Sequence, residues 1–343
     1  MGKRLPDQTE NQSRLRISVV IPVHNGETTL SQCLAAICQM EQPPDEVIVV
    51  DDASTDRTAE IASHFPCRII RLTENVGAAR AKNRGAAVAQ GDILFFTDAD
   101  VVVPPRLLTW LREDYADETV TGVVGLLGTE LPYQDFPSQF KNLWMHYTYA
   151  RLPAYVGLFY TSAASIRREV FAAERGFDES YRGASVTEDM DFGQRLLTAG
   201  HRIRFDRRLE VQHLKHYGLW ELLRTDLERA RALTKIWLRN RLAHVQRKHF
   251  ASVPWYFAAS VPLAGLCLFG ILLAPFWPYG GLGLAILGYI AILALNWPFL
   301  SFLGKQRGRR FLLQAALFLP LDLFVSGLGI TAGFWDIMRG CRY

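Results

Sequence analysis

The sequence predicts an α/β domain built on a mostly parallel sheet, followed by an α-helical transmembrane region. Two observations predict the first part. Short β-branched runs alternate with helix-like stretches through the first hundred residues, and the positions just past those runs are unusually polar. One observation predicts the second: the 55 residues from Phe250 to Gly304 contain no Asp, Glu, Lys or Arg, whereas a spanning helix needs only about 20 apolar residues. A chain of 343 residues exceeds the roughly 100–200 residues of one domain, which leaves room for both parts.

Residues 1–15 are polar and lack the apolar core of a signal peptide, so export of the soluble part is not expected. Strands are expected at 17–23, 46–50, 68–72 and 93–97, with helices at 28–39, 55–63 and 78–89. Such alternation implies βαβ units within a domain spanning 16–218. Ligands of parallel sheets gather at the carboxyl ends of the strands, which here read PVHNG (22–26), DDASTD (51–56) and DAD (98–100). A nicotinamide-binding first turn needs GxGxxG, which PVHNG does not supply, and no GxxxxGK[ST] phosphate loop occurs.

Asp98 and Asp100 follow an apolar run, with both side chains on one side if the chain stays extended. Mg²⁺ and similar hard cations take oxygen ligands and need only one or two carboxylates beside substrate phosphates. The pair is therefore a candidate phosphate-metal site, against the alternative of an ordinary polar turn. Asp51 and Asp52 end the second strand, and Ser54, Thr55 and Asp56 are candidates to cap the next helix. Arg80 and Asn83 lie in the helix opened by Gly77. Arg80 is either a solvated charge or a cation facing a diphosphate.

Six ordered blocks, VVIPVHN (19–25), VVDDASTD (49–56), NVGAAR (75–80), DAD (98–100), RGFDE (175–179) and TEDMD (187–191), resemble glycosyltransferase family 2, whose members have the GT-A fold. The resemblance covers roughly residues 15–220. It implies that Pro22, Asn25 and Glu27 line a nucleotide pocket, that Asp52 contacts the base, and that Arg80, with Asn83 in the same block, belongs to the donor site. Asp98 and Asp100 would hold Mg²⁺ or Mn²⁺ on the diphosphate of a nucleotide-sugar donor.

The resemblance places the catalytic base in the acidic motif Glu188-Asp189, with Asp189 as the expected base. Thr187 fits as N-cap of a helix running to Gly200, and favourable helix-dipole placement is the competing account of the two acids. An acceptor hydroxyl deprotonated by Asp189 attacks the anomeric carbon in one displacement, which predicts inversion. If the acceptor is an ionised lipid phosphate, Asp189 instead positions substrate. His213, ending an expected strand at 210–213, is a candidate for the metal or acceptor site, and His216 a second.

Residues 161–165 lack the Asn many relatives carry, and the QxxRW motif of processive polysaccharide synthases is absent. Single sugar transfer is thus expected over polymer extension. Both acidic motifs are intact, which argues against a catalytically silent scaffold.

Residues 219–248 repeat Leu222, Leu223, Leu227, Ala230, Leu233 and Ile236 against Arg224, Arg229, Arg231 and Lys235. This pattern suits an amphipathic helix on the membrane surface or packed on the catalytic domain. Within 250–334, spans are expected at 255–274 and 279–300, parted by PFWP (275–278). A third segment, 311–334, carries Pro320 and Asp322. It either spans or lies re-entrant or interfacial, ahead of a tail at 335–343. Arg and Lys flank the first two spans at 239–248 and 305–310, so the catalytic domain should face the cytoplasm at the plasma (inner) membrane. Arg339 and Arg342 would fall outside if the third segment spans.

Net charge is only +4, with much of the basic excess beside the membrane, so nucleic acid is not an expected partner. A lipid acceptor such as a polyprenyl phosphate, glycerolipid or hopanoid is expected. The aromatic-rich region 125–160 would shape an acceptor groove or pack against the membrane. Five cysteines at 33, 38, 67, 267 and 341 show no zinc spacing and read as reduced.

Overall fold

The computed structural model describes residues 15–181, 188–242 and 253–340. Strands β1 (Ile17–Val23), β2 (Glu46–Asp51), β3 (Arg68–Arg71) and β4 (Ile93–Phe96) run parallel in the order β3-β2-β1-β4. Helices α1 (Leu30–Cys38), α2 (Thr58–Ser63) and α3 (Ala78–Val88) make the crossovers. β4 is buried at every position and β1 at all but one. Sheets covered on both faces give continuous apolar runs of this kind rather than alternation. α3 presses closely on β1 at Gly85, where a Cβ would lie 2.5 Å from Val20 Cγ1. α2 begins later than expected, because the Asp56 carboxylate accepts the Thr58 N–H at 3.0 Å and so closes a turn first.

The remaining elements are β5 (Val101–Val102), α4 (Leu107–Tyr115), β6 (Gly122–Leu127), α5 (Phe136–Tyr149), β7 (Tyr155–Val156), β8 (Ala164–Arg167), α6 (Arg168–Ala173), α7 (Glu188–Thr198) and β9 (Ile203–His213). The sheet continues β4-β8-β6-β9-β5 and becomes mixed. β8 is antiparallel to both β4 and β6, β9 is parallel to β6, and β5 and β7 pair antiparallel with β9. β9 is longer than the expected 210–213.

Four helices complete the chain: α8 (Leu219–Leu242), α9 (Trp255–Leu273), α10 (Pro278–Leu295) and α11 (Trp297–Met338). α9, α10 and α11 are each long and apolar enough to cross a membrane. α9 and α10 form a close hairpin, since a Cβ on Gly270 would fall 2.7 Å from the Gly281 carbonyl oxygen. The second apolar helix stops at Leu295 rather than 300. There Asn296 Nδ2 donates to Ser260 Oγ of α9 at 2.8 Å. α11 is broken at Gly308, which has φ 83°, and then continues through Pro320 as one helix rather than a re-entrant hairpin.

The far end of α11 lies on α8. Cβ atoms on Gly329 and Gly333 would sit 2.3 Å from the Leu227 carbonyl oxygen and 2.6 Å from that of Arg231, the close approach that small residues four apart permit. Arg231 then pairs with Asp336, Nη2 to Oδ1 at 2.7 Å. α5 is capped by Asp135, which accepts the Ser138 N–H at 3.0 Å. It turns Phe136 and Phe140 toward Phe311 and Phe299, at centroid distances of 5.1 and 5.8 Å.

Candidate active site

A cavity of about 460 Å³ opens where the carboxyl ends of β1 and β4 meet the end of β9. It is lined by Pro22, Asn25, Asp98, Asp100, Asp189 and His213, among others. Chain geometry brings the last of these to the acidic pair. β5 starts at the residue after Asp100, Val101 pairs with His213, and Leu214 donates its N–H to the Asp100 carbonyl at 2.7 Å. His213 Nε2 is consequently 3.3 Å from Asp100 Oδ2. Asp98 accepts a hydrogen bond from Ser162 Oγ. Asn25, at φ 54°, ties the first two loops together, accepting the Thr55 N–H at 2.9 Å and donating its own N–H to Ser54 Oγ at 2.9 Å. Asn tolerates this left-handed conformation better than most residues.

Beneath the cavity lies a residue that no sequence motif marked out. Lys82 is buried, with Nζ 2.7 Å from Thr161 Oγ1 and 3.0 Å from Glu188 Oε1. Its signal was present: Ala79, Lys82 and Ala86 share the buried stripe of α3, and a lysine on such a stripe needs a partner. Burial works against the Lys82 ammonium, yet Glu188, Asp98 and Asp189 together hold it above the usual lysine range. Burial raises Asp98, with Lys82 opposing. At Asp100 burial is outweighed by His213 and Lys215, which keep the carboxyl low. Burial, reinforced by Glu188, pushes Asp189 up to about 7, and its Oδ1 has no hydrogen-bond partner.

Four expected donor-site residues lie outside the cavity lining. Asp52 spends both carboxylate oxygens on loop amides, accepting from Val76 and Gly77 at 2.8 and 2.9 Å. Asn83 clamps the RGFDE block: it accepts the Phe177 N–H at 3.0 Å and donates to the Phe177 carbonyl at 2.8 Å. Arg80 pairs with Glu179 at 3.1 Å. Glu27 is exposed and accepts the Arg57 N–H at 3.2 Å. His216 pairs with Asp135 at 3.3 Å, also away from the cavity. The expected N-cap Thr187 lies outside the described residues.

Three cations that the sequence did not assign to the site, Lys141, Lys215 and Arg229, line the same cavity with Tyr160. One face of α5 packs on the apolar C-terminal helices, and the other supplies Lys141, Asn142 and Met145 to the cavity. Two carboxylates and an imidazole at one wall suit a hard divalent cation. Among the described residues no three acidic, His or Cys side chains come together closely enough to hold a metal ion, Asp98, Asp100 and His213 included. A cation bound here would thus share its coordination with substrate oxygens.

Comparison with known proteins agrees with this architecture. The glycosyl transferase family 2 profile matches residues 18–173. The probable glycosyltransferase YdaM of Bacillus subtilis is 27% identical over 228 residues, covering 59% of this chain and 52% of the relative. The dolichol-phosphate mannosyltransferase of Pyrococcus furiosus is 36% identical over 104 residues, 29% of this chain and 30% of that protein. This chain thus spans about half or less of the length of these curated relatives. Among solved structures, the mannosyltransferase PcManGT from Pyrobaculum calidifontis, in complex with GDP-Man and Mn²⁺, superposes with a TM-score of 0.57 at 21% identity. The match covers 95% of this chain and 88% of that one, a likeness in fold that identifies the domain as GT-A.

Proposed function

The chain carries a glycosyl transferase family 2 domain over residues 18–173, and from that premise we propose that it transfers one sugar, with inversion, from a nucleotide-diphosphate sugar to a membrane lipid. The observation that carries the reading is the convergence of Asp98, Asp100, His213 and Asp189 on one cavity beside three membrane-associated helices. Pro22 and Asn25 form the nucleotide end. Asp52 and Asn83 hold the loops around it rather than touching donor. Asp98, Asp100 and His213 are the residues that would hold a divalent cation, and the chemistry it supplies is neutralisation of the leaving diphosphate.

Asp189 takes the proton of the attacking acceptor oxygen. Its value of about 7 matches what a general base needs near neutral pH. Lys82 holds Glu188 in place through the 3.0 Å contact, and so orients the turn that carries Asp189. The acceptor reading rests on α5, α8 and α11, which join the cavity wall to the apolar helices. It is supported by the dolichol-phosphate mannosyltransferase among the relatives.

For topology we take α9 and α10 as a two-span hairpin and α11 beyond Gly308 as a helix lying in the membrane surface. Arg231 and Lys235 of α8 pair with Asp336. A spanning α11 would drag that charged helix into hydrocarbon, where each charge costs about 2.5–3.5 kcal/mol. An in-plane α11 leaves Arg339 on the same side as the catalytic domain, which the distribution of basic residues makes cytoplasmic, at the plasma membrane. The test is nucleotide release by purified protein across a panel of nucleotide sugars, with Mg²⁺ or Mn²⁺ against chelator. One donor should turn over, the chelator should stop it, and Asp100→Ala should lower the rate at least ~100-fold, in the range of an electrostatic stabiliser. Turnover indifferent to chelator would remove the metal from the reading.

A further inference from the structure

A second cavity of about 410 Å³ lies between α5, α8, α9 and α11. Its wall is largely apolar, with Phe140, Trp144, Leu233, Phe257, Val261 and Leu323 contributing. It does not stand apart from the catalytic cavity, because Lys141 and Arg229 line both. The two cations at that junction differ in how they are satisfied. Lys141 is paired with Asp226, and Asp322 of α11 lies near enough to Lys141 to act on it as well.

Arg229 forms no ion pair among the described residues. It is only 7% exposed, Nη1 reaches no better acceptor than Met145 Sδ at 2.7 Å, and Nε has no hydrogen-bond partner. Its guanidinium sits 5.2 Å from the Trp144 ring centroid, which aids a cation but does not balance its charge. Asp226 and Asp322 line the same cavity, but neither pairs with Arg229, and a buried guanidinium with an unused donor is costly to keep and is open to an anion's oxygens. The planar guanidinium fork is well matched to phosphate.

We propose that the second cavity receives the hydrocarbon chain of the acceptor and that Arg229 binds its head, a phosphate monoester. The inference deepens the lipid-acceptor reading above and rests on it. A neutral alcohol would satisfy the apolar wall but leave Arg229 unanswered, whereas a lipid phosphate satisfies both at once and places its phosphate at the edge of the catalytic cavity. In the reaction a phosphate oxygen attacks the anomeric carbon, and the bond from that carbon to the donor diphosphate breaks. The nucleoside diphosphate leaves with the electron pair, and any proton on the attacking phosphate passes to Asp189. The product is a lipid-linked glycosyl phosphate.

The experiment uses the full chain in phosphatidylcholine nanodiscs and measures binding of a long-chain prenyl phosphate, the matching free alcohol, and inorganic phosphate. Nucleotide affinity read in the same samples monitors the fold. The prenyl phosphate should bind at least tenfold tighter than the alcohol. Arg229→Gln should erase that difference, and Arg229→Lys should keep most of it. Ala258→Trp, which narrows the cavity from its lipid-exposed side, should weaken long chains more than short ones. Equal binding of alcohol and phosphate, an unaffected Arg229→Gln, or full competition by inorganic phosphate would each overturn the site. Glycosylation of a neutral lipid at the same rate in Arg229→Gln would overturn it while leaving the lipid-acceptor reading intact. Prenyl phosphate held through Arg229 but never glycosylated would uphold the site and remove that reading.

Discussion

At the scale of single residues, the proposed mechanism turns on Asp189, a buried carboxyl with an unpartnered oxygen whose pKa burial raises to about 7. As a base it must be ionised, so kcat/KM for the acceptor should fall about tenfold per pH unit below about 7. Asp189→Asn should show a low, flat profile. The same shift carries a stability cost. With its folded value near 7 and an unfolded value near 3.8, the folded state binds the extra proton between those limits. The stabilising contribution is complete below about pH 4 and is lost as pH rises through about 7, on the order of 4 kcal/mol at most. Asp189→Asn should therefore melt higher than the parent at pH 8 and nearly the same at about pH 4. Thermal melts showing no gain at pH 8 would mean that the Asp189 charge is not buried at a cost.

Lys82 makes the complementary case. Lys82→Met leaves Glu188 as an unpaired buried acid, a change that costs about 3–5 kcal/mol when a buried pair is broken. Calorimetry should show that loss, and Lys82→Arg should restore only part of it. Lys82 was not legible in the sequence because a lone lysine in a helix looks like a solvated charge until the stripe beneath it is known to be buried. That Asp98, Asp100 and Asp189 would come to one cavity was legible because acids at strand ends or helix starts, in ordered blocks, carry their own context. That Asp52 and Asn83 clamp loops was not legible, since only the fold reveals that Val76, Gly77 and Phe177 claim their polar atoms.

At the scale of elements, the parallel half was readable from composition because each buried strand is one apolar run bounded by polar turns. The antiparallel part was not. β5 and β7 are two residues long and β8 four, too short for periodicity to register. The amphipathic pattern of α8 was visible, but its partner was not, because Gly329 and Gly333 read as ordinary glycines of an apolar segment. Their closeness to α8 gives a test. A side chain introduced by Gly333→Leu would place its Cβ 2.6 Å from the Arg231 carbonyl oxygen, so the two helices must move apart. Overpacking of this kind costs about 1–3 kcal/mol. The thermal midpoint in detergent should drop, and trypsin should cut faster within α8.

At the scale of the whole molecule, the GT-A domain and the apolar helices are not two bodies joined by a tether. α5 belongs to both, with Phe136 and Phe140 against α11 and Lys141 and Asn142 in the cavity. The cavity is thereby tied to helices apolar enough to span a membrane, which is the physical reason for proposing a lipid rather than a soluble acceptor. The decisive measurement incubates purified protein with its labelled donor and either extracted membrane lipids or a water-soluble acceptor panel, then partitions the products. Metal-dependent label should appear in the organic phase and be lost in Asp100→Ala and Asp189→Ala. Label confined to the aqueous panel, with none in lipid under any donor, would rule out the lipid acceptor.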